Sequence, residues 1–254
     1  MPEQLWFTEI LNRLFAGPVT ALLQALHIQP QYSQAPITNA VAMELLVFVF
    51  LVVAFALVRF SLSVENPGGL QHIVEGLHGF VSSQAEEIIG HGSDRFVGFL
   101  TTLGLFILSC NLIGLIPGFE SPTGAAATVP LGCAVLAFAY YNVQGVRTQG
   151  LGHYIAHFFG PADPTMSIFM RIPLAILMFP IEIISHLARM LSLTVRLWAN
   201  IFAGDVVTMV FFSMIPIGIP VIFLGLHIFV AFLQAYIFML LTIIYLQGAV
   251  AVEH

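Results

Sequence analysis

Lysine is absent from this chain. Its seven basic residues are all arginines: Arg13, Arg59, Arg95, Arg147, Arg171, Arg189 and Arg196. That absence excludes a phosphate-loop lysine, a Schiff-base lysine and a Ser-Lys dyad. Charge of either sign is scarce: 8% of the 254 residues are charged, against about 25% in a soluble domain. No basic run points to nucleic acid. The net charge of −6 is spread over loops and ends and forms no acidic tail. The two cysteines, Cys110 and Cys133, sit inside apolar segments, too few for a disulfide framework, and read as buried thiols. His72, His78 and His91 lack a metal-ligand spacing, and no cofactor motif is present. The N-terminus carries Glu3 and Glu9 and shows no cleavable signal pattern.

Hydrophobic residues make up 59% of the chain. The composition predicts an all-α polytopic membrane protein, a single membrane domain over 1–254. Residues 1–36 form an external segment. Within it Leu5 to Leu26 suits a short interfacial helix, broken by Pro18 and ended by Pro30. Residues 38–60, 96–116 and 130–143 with its flanks read as spans, with loops at 120–128 and 144–165. Between the first two spans, residues 66–90 read as a cytoplasmic amphipathic surface helix, opened by Asn66-Pro67 and closed by Gly90. Its apolar stripe is Leu70, Ile73, Val74, Leu77, Phe80, Val81 and Ile88. Its charges are acidic, so docking on another subunit suits it better than anionic lipid.

Two segments exceed the membrane. As helices, 172–214 would extend roughly 60 Å and 220–252 nearly 50 Å, against about 30 Å of hydrocarbon. They must tilt strongly, bend, or leave the bilayer. The expected architecture is therefore about five crossings, the last two a long, strongly tilted helical hairpin. Arg59, Arg95, Arg147 and Arg171 flank ends that share one side, with Arg13 opposite. The positive-inside rule makes that side cytoplasmic, with the N-terminus outside and the C-terminus in the cytoplasm.

Inside 172–214 lies the stretch on which the reading turns. Arg196 stands within an apolar helix pattern, and arginine stays charged in proteins. At bilayer depth it costs about 2.5–3.5 kcal/mol on insertion scales, which marks a functional charge. The alternative is an arginine that snorkels or pairs with Asp205. Ser192, Arg196 and Asn200, at i, i+4 and i+8, form a polar stripe. In an antiparallel hairpin, residues at equal depth have a constant sum of residue numbers. Arg196 with Gln234 and Asp205 with His227 give sums of 430 and 432, so one register sets two polar pairs. Arg196 and Asp205 are about half a turn out of phase. Asp205 is therefore expected to face His227, a couple able to pass a proton, while Arg196 faces another partner. The alternative is that such pairs only bond the hairpin together.

The run Ser192-Leu-Thr-Val-Arg196-Leu-Trp-Ala-Asn200-Ile-Phe-Ala-Gly204-Asp205 resembles the arginine helix of subunit a of F-type ATP synthases. So does the ending from His227 through Leu233-Gln234-Ala235-Tyr236 to Leu246. Asn111-Leu-Ile-Gly-Leu-Ile-Pro-Gly118, the surface helix, and Glu182 placed 14 residues before Arg196 also fit. The resemblance covers roughly residues 38–254. It implies a non-catalytic stator subunit of a bacterial inner-membrane complex, with a ring of c subunits, the b subunits of a peripheral stalk, the rest of the complex and the lipid bilayer as partners. Arg196 would face the ring. Asp205, His227, Gln234 and Asn200 would line the outer proton half-channel, with Ser192 beside the arginine. Glu182 and Ser185 would belong to the inner one. Two positions depart: Gly114 stands where some members carry an acidic residue, and Asp205 where glutamate is common.

Other classes stay open at this stage. A stand-alone ion channel or secondary transporter would also use intramembrane Arg, Asp and His, though the sequence has no internal repeat. An intramembrane hydrolase could use Glu182, Ser185 and His186, but lacks a HExxH or GxSxG motif.

Overall fold

A computed structural model of the chain describes residues 5–25, 27, 35–61, 68–116, 118–152, 154, 168–214 and 218–251. Its elements are helices: α1 (Trp6–Ala25), α2 (Asn39–Ser61), α3 (Gly69–Ile89), α4 (Asp94–Ile113), α5 (Pro122–Ala125), α6 (Thr128–Gln149), α7 (Ile168–Met214) and α8 (Ile219–Val250). Five of them, α2, α4, α6, α7 and α8, are long and apolar enough to cross a membrane.

The first helix departs from expectation. Pro18 lies inside α1 and does not break it. Proline there removes one backbone hydrogen bond and strains the preceding turn, which a helix absorbs as a bend when the rest of its ladder holds. Asn12 then fastens α1 to the start of α2. Its amide donates to the Ile37 carbonyl and its oxygen accepts from the Ile37 N–H, each at 3.0 Å. Pro30 and the Asn66-Pro67 opening lie outside the described residues. The third span is longer than its apolar core: α6 runs to Gln149, so 144–149 are helical rather than loop. Gly150, at φ +81°, stops it.

Helix α4 organises the core. Near its start Phe96, Val97 and Leu100 pack with Val81 and Ala85 of α3, Tyr141 of α6, and Ile243 and Leu246 of α8. Midway Leu103 and Ile107 meet Ala134 and Ala137 of α6, Leu197 and Ile201 of α7, and Phe238 of α8. At its end Cys110 and Ile113 meet Met43 and Val47 of α2. Both cysteines are buried and free. On α3 the buried stripe is narrower than the sequence pattern: Val81 and Ala85 are buried, whereas Ile73 and Phe80 stay exposed. Seven residues apart, these two share a face; Phe80 meets the ring of Tyr236 on α8, 5.9 Å between centroids, and still keeps much of its surface exposed.

The loop between α4 and α6 folds back on α4. A Cβ on Gly114 would lie 2.6 Å from the Ser121 Cβ, so this approach requires glycine. Ser121 donates to the Cys110 carbonyl at 3.1 Å and Thr123 donates to the Asn111 side-chain oxygen at 2.7 Å. The Asn111 amide in turn reaches the Ala231 carbonyl on α8 at 3.3 Å. Burying these groups would be costly without partners; joined, they lock the loop, α4 and α8 together.

Candidate ion path

At 1.5 Å per residue the uninterrupted α7 is roughly 70 Å long. Along it Glu182, Arg196 and Asp205 fall at three heights, roughly 21 Å and then 13 Å apart. Helix α8 runs antiparallel against its second half, and this fixes the group at Asp205. His227 Nδ1 lies 3.6 Å from Asp205 Oδ1. The His227 side chain is 4% exposed and that of Asp205 38%. A Cβ on Gly204 would sit 3.2 Å from the His227 ring, so the small residue lets the imidazole press against α7. The sum rule thus brings Asp205 to His227 as the hairpin register requires.

Two cavities meet at this histidine. The first, about 590 Å³, is lined by Glu120, Ser121, Gly124, Asp205 and His227 among others, the first three from the loop between α4 and α6. The second, about 480 Å³, is lined by Asn200, Gly204, His227 and Gln234. His227 and Thr208 line both cavities, and among the described residues the buried Nε2 of His227 has no hydrogen-bond partner. Asn200 and Gln234 share the second cavity, although Gln234 is buried and Asn200 is exposed.

Arg196 stands apart from these groups. Its guanidinium reaches the Ser192 hydroxyl one turn earlier, at 3.5 Å. Among the described residues it has no carboxylate partner within ion-pair distance, and it does not bond to Gln234 at the same depth. The half-turn offset from Asp205 leaves it on the open side of the hairpin, among the exposed Leu191, Ser192, Val195 and Asn200. Glu182 and Ser185, both half-buried, lie on the other side of Arg196 along the helix. Glu182 pairs with His186, Nε2 to Oε1, at 3.4 Å. His186 in turn meets Tyr141 of α6.

Sequence reasoning missed two residues of this arrangement. Glu120 belongs to no periodic element, and only the folded loop carries it into the cavity of Asp205. Tyr141 lies within the third span and belongs to no motif. The acidic character of the turn after Gly118 was the only signal for the first, and none marked the second.

Polar groups strung along helices long and apolar enough to cross a membrane, with an arginine that has no carboxylate partner among the described residues, define the class: a polytopic membrane protein with a polar track through its helices. Residues 40–247 match the family described as ATP synthase A chain. An ATP synthase subunit a of Koribacter versatilis is 53% identical over 254 residues, the whole of both chains. One from Solibacter usitatus is 50% identical over 245 residues, covering 96% of this chain and all of the relative. One from Geotalea uraniireducens is 36% identical over 245 residues, 95% of this chain and 98% of the relative. The chain belongs to the ATP synthase subunit a family. It is the proton-translocating stator subunit, a membrane component of that complex, and no finding favours a stand-alone channel or transporter.

Proposed function

We propose that this chain forms two proton half-channels that end on either side of Arg196 at the surface of a rotating ring of c subunits. Protons enter the outer path past Glu120, pass Asp205 and His227, and reach the ring through the cavity of Asn200 and Gln234. The inner path runs by Glu182 and Ser185 to the cytoplasm, the side marked by Arg59, Arg95, Arg147 and Arg171. The N-terminus is then outside and the C-terminus inside. The b subunits of the peripheral stalk hold the chain fixed, and the exposed Ile73 and Phe80 of α3 suit contact with another subunit. The supporting observation is the half-buried Arg196: among the described residues its guanidinium has the Ser192 hydroxyl as hydrogen-bond partner and no carboxylate, and Asn200, one turn on, lines the cavity shared with Gln234.

The chemistry follows from charge. A ring carboxylate crosses lipid only when protonated, because the anion is too costly there. Beside a fixed guanidinium the anion is favoured, so the proton leaves. The same cation repels a proton that would hop directly between the half-channels. The experiment is Arg196→Ala in the intact complex, in inverted vesicles. It is expected to abolish coupled ATP synthesis and to let protons leak. Synthesis near the wild-type rate would overturn the reading. Arg196→Lys keeps a charge, but one that can lose its proton when desolvated, and is expected to abolish synthesis as well.

A further inference from the structure

Asn111 of α4 is wholly buried, and its one amide joins two different parts of the molecule. A backbone carbonyl only accepts hydrogen bonds, so the amide nitrogen faces that of Ala231 on α8, at 3.3 Å. The amide oxygen is thereby turned to the loop, where the buried Thr123 donates to it at 2.7 Å. A hydroxyl has one proton to give, and Thr123 gives it to Asn111. Its own oxygen lies 3.0 Å from the Ser121 hydroxyl. Each end of the Asn111 amide adjoins one side of the Asp205–His227 couple. Ala231 follows His227 by about one helical turn, on the same side of α8. Thr123 is followed by Gly124, whose backbone lies so close to Asp205 that a Cβ there would stand 2.6 Å from Oδ2. The other carboxylate oxygen, Oδ1, faces His227 Nδ1 at 3.6 Å. The carboxylate of α7 is therefore held between the loop on one side and the imidazole of α8 on the other, and Asn111 ties these two sides together from α4.

We infer that Thr123 is a positioning residue for Asp205: through Asn111 it holds the loop and α8 at the separation that keeps the carboxylate against His227. This rests on the reading of Asp205 and His227 as part of the proton path. Ser121 and Gly124 line the cavity of Asp205, whereas Thr123 and Asn111 do not, so these two act from behind its wall and carry no proton themselves. Without the Thr123 hydroxyl the buried amide oxygen of Asn111 loses its donor, which is costly enough to make the contact part. The loop can then draw back from α8, and Asp205 gains room to turn Oδ1 away from the imidazole. At 3.6 Å the couple already stands at the edge of hydrogen-bond reach. A small further shift ends direct transfer and leaves the slower route through water.

The test follows proton-driven ATP synthesis by the whole ATP synthase in inverted vesicles, with the amount of assembled complex measured alongside. Thr123→Val keeps the shape and removes the donor, and is expected to slow synthesis about threefold with assembly intact. Thr123→Ser returns the hydroxyl and is expected to restore most of the rate. Thr123→Ala leaves room for a water to bond Asn111, and is expected to fall between the two. The readout specific to positioning is the pairing with Asp205. On an Asp205→Ala background, Thr123→Val is expected to cost nothing further, because no carboxylate is left to misplace. A loss by the same factor on both backgrounds means a structural residue only and overturns the role. So does failure of both Thr123→Val and Thr123→Ala to assemble, or failure of Thr123→Ser to recover the rate. Asp205→Ala with His227→Ala separates the two claims. If that double variant makes ATP at the wild-type rate, the reading of the couple as a proton path fails. If it is impaired while assembled Thr123→Val and Thr123→Ala complexes run at the wild-type rate, the role of Thr123 alone is overturned.

Discussion

Around Asp205 and His227 the hairpin is hollow, while around Glu182 and His186 one polar side chain rests on the next. The outer couple lies between cavities of about 590 and 480 Å³. At 3.6 Å its two groups are slightly beyond a normal hydrogen bond. The second group has one direct hydrogen bond, Tyr141 to His186 at 2.8 Å, with Glu182 at ion-pair distance, 3.4 Å, on the other side of the ring. Cavities of this size and polarity accept water, which relays protons and forgives small displacements. A string of direct bonds depends on each member keeping its geometry. The outer end should therefore lose function in graded steps as groups are removed, and the inner end through changes as small as one hydroxyl.

The strongest challenge to this contrast is removal of the outer couple. Asp205→Ala and His227→Ala should each slow proton-driven ATP synthesis in an assembled complex. The double variant should be far from the sum of the two, because groups in contact act as a unit. Additive effects would mean that the two carry protons independently, and unchanged flux in the double variant would remove both from the path. A smaller effect is expected from filling the outer cavity. A Cβ at Gly124 would lie 2.6 Å from Asp205 Oδ2 and 3.0 Å from Ile201, so Gly124→Ala must displace the carboxylate. Transport should fall on the order of tenfold, since proton transfer depends on hydrogen-bond reach. Wild-type proton uptake in that variant would show that the position of Asp205 is not critical. The mildest change is Glu120→Gln at the mouth of the cavity. Its loss should lower the rate by a few-fold at low ionic strength and much less at high salt, as for a charge that gathers ions by attraction. A salt-independent loss would make Glu120 an obligatory carrier instead.

The architecture was legible because a bilayer imposes lengths and an antiparallel hairpin imposes register. Apolar runs located five spanning helices, and constant rise per residue placed Asp205 against His227 before any coordinates. Arg196 announced itself by cost. Asn111, inside the second span, meets its neighbouring helix through the Ala231 carbonyl. What escaped lies off the periodic elements or between them. Glu120 reaches its cavity through a loop whose path is set by the Ser121 and Thr123 bonds, and a loop has no repeat to read. Gly114, noted only as a missing acid, is required by the close approach of Ser121, so an acidic side chain has no room there. The Tyr141–His186 bond joins residues 45 positions apart, and no sequence spacing encodes such a meeting. On α3, helical periodicity identified a stripe but not its true width, since Ile73 and Phe80 stay exposed.

The buried imidazole of His227 also has an electrical meaning. A water-holding vestibule open to one side of a membrane carries the potential of that side inward, so voltage drops mainly across the dry partitions that remain. On the proposed path the dry partition of the first half lies at His227 and Thr208, the residues that line both cavities. A charge crossing the whole membrane gains about 2.3 kcal/mol per 100 mV. The share of that work collected at His227 is set by how dry its surroundings are. Substitutions that widen this partition should therefore change how steeply proton flux responds to voltage, even where the flux at zero potential is unaltered.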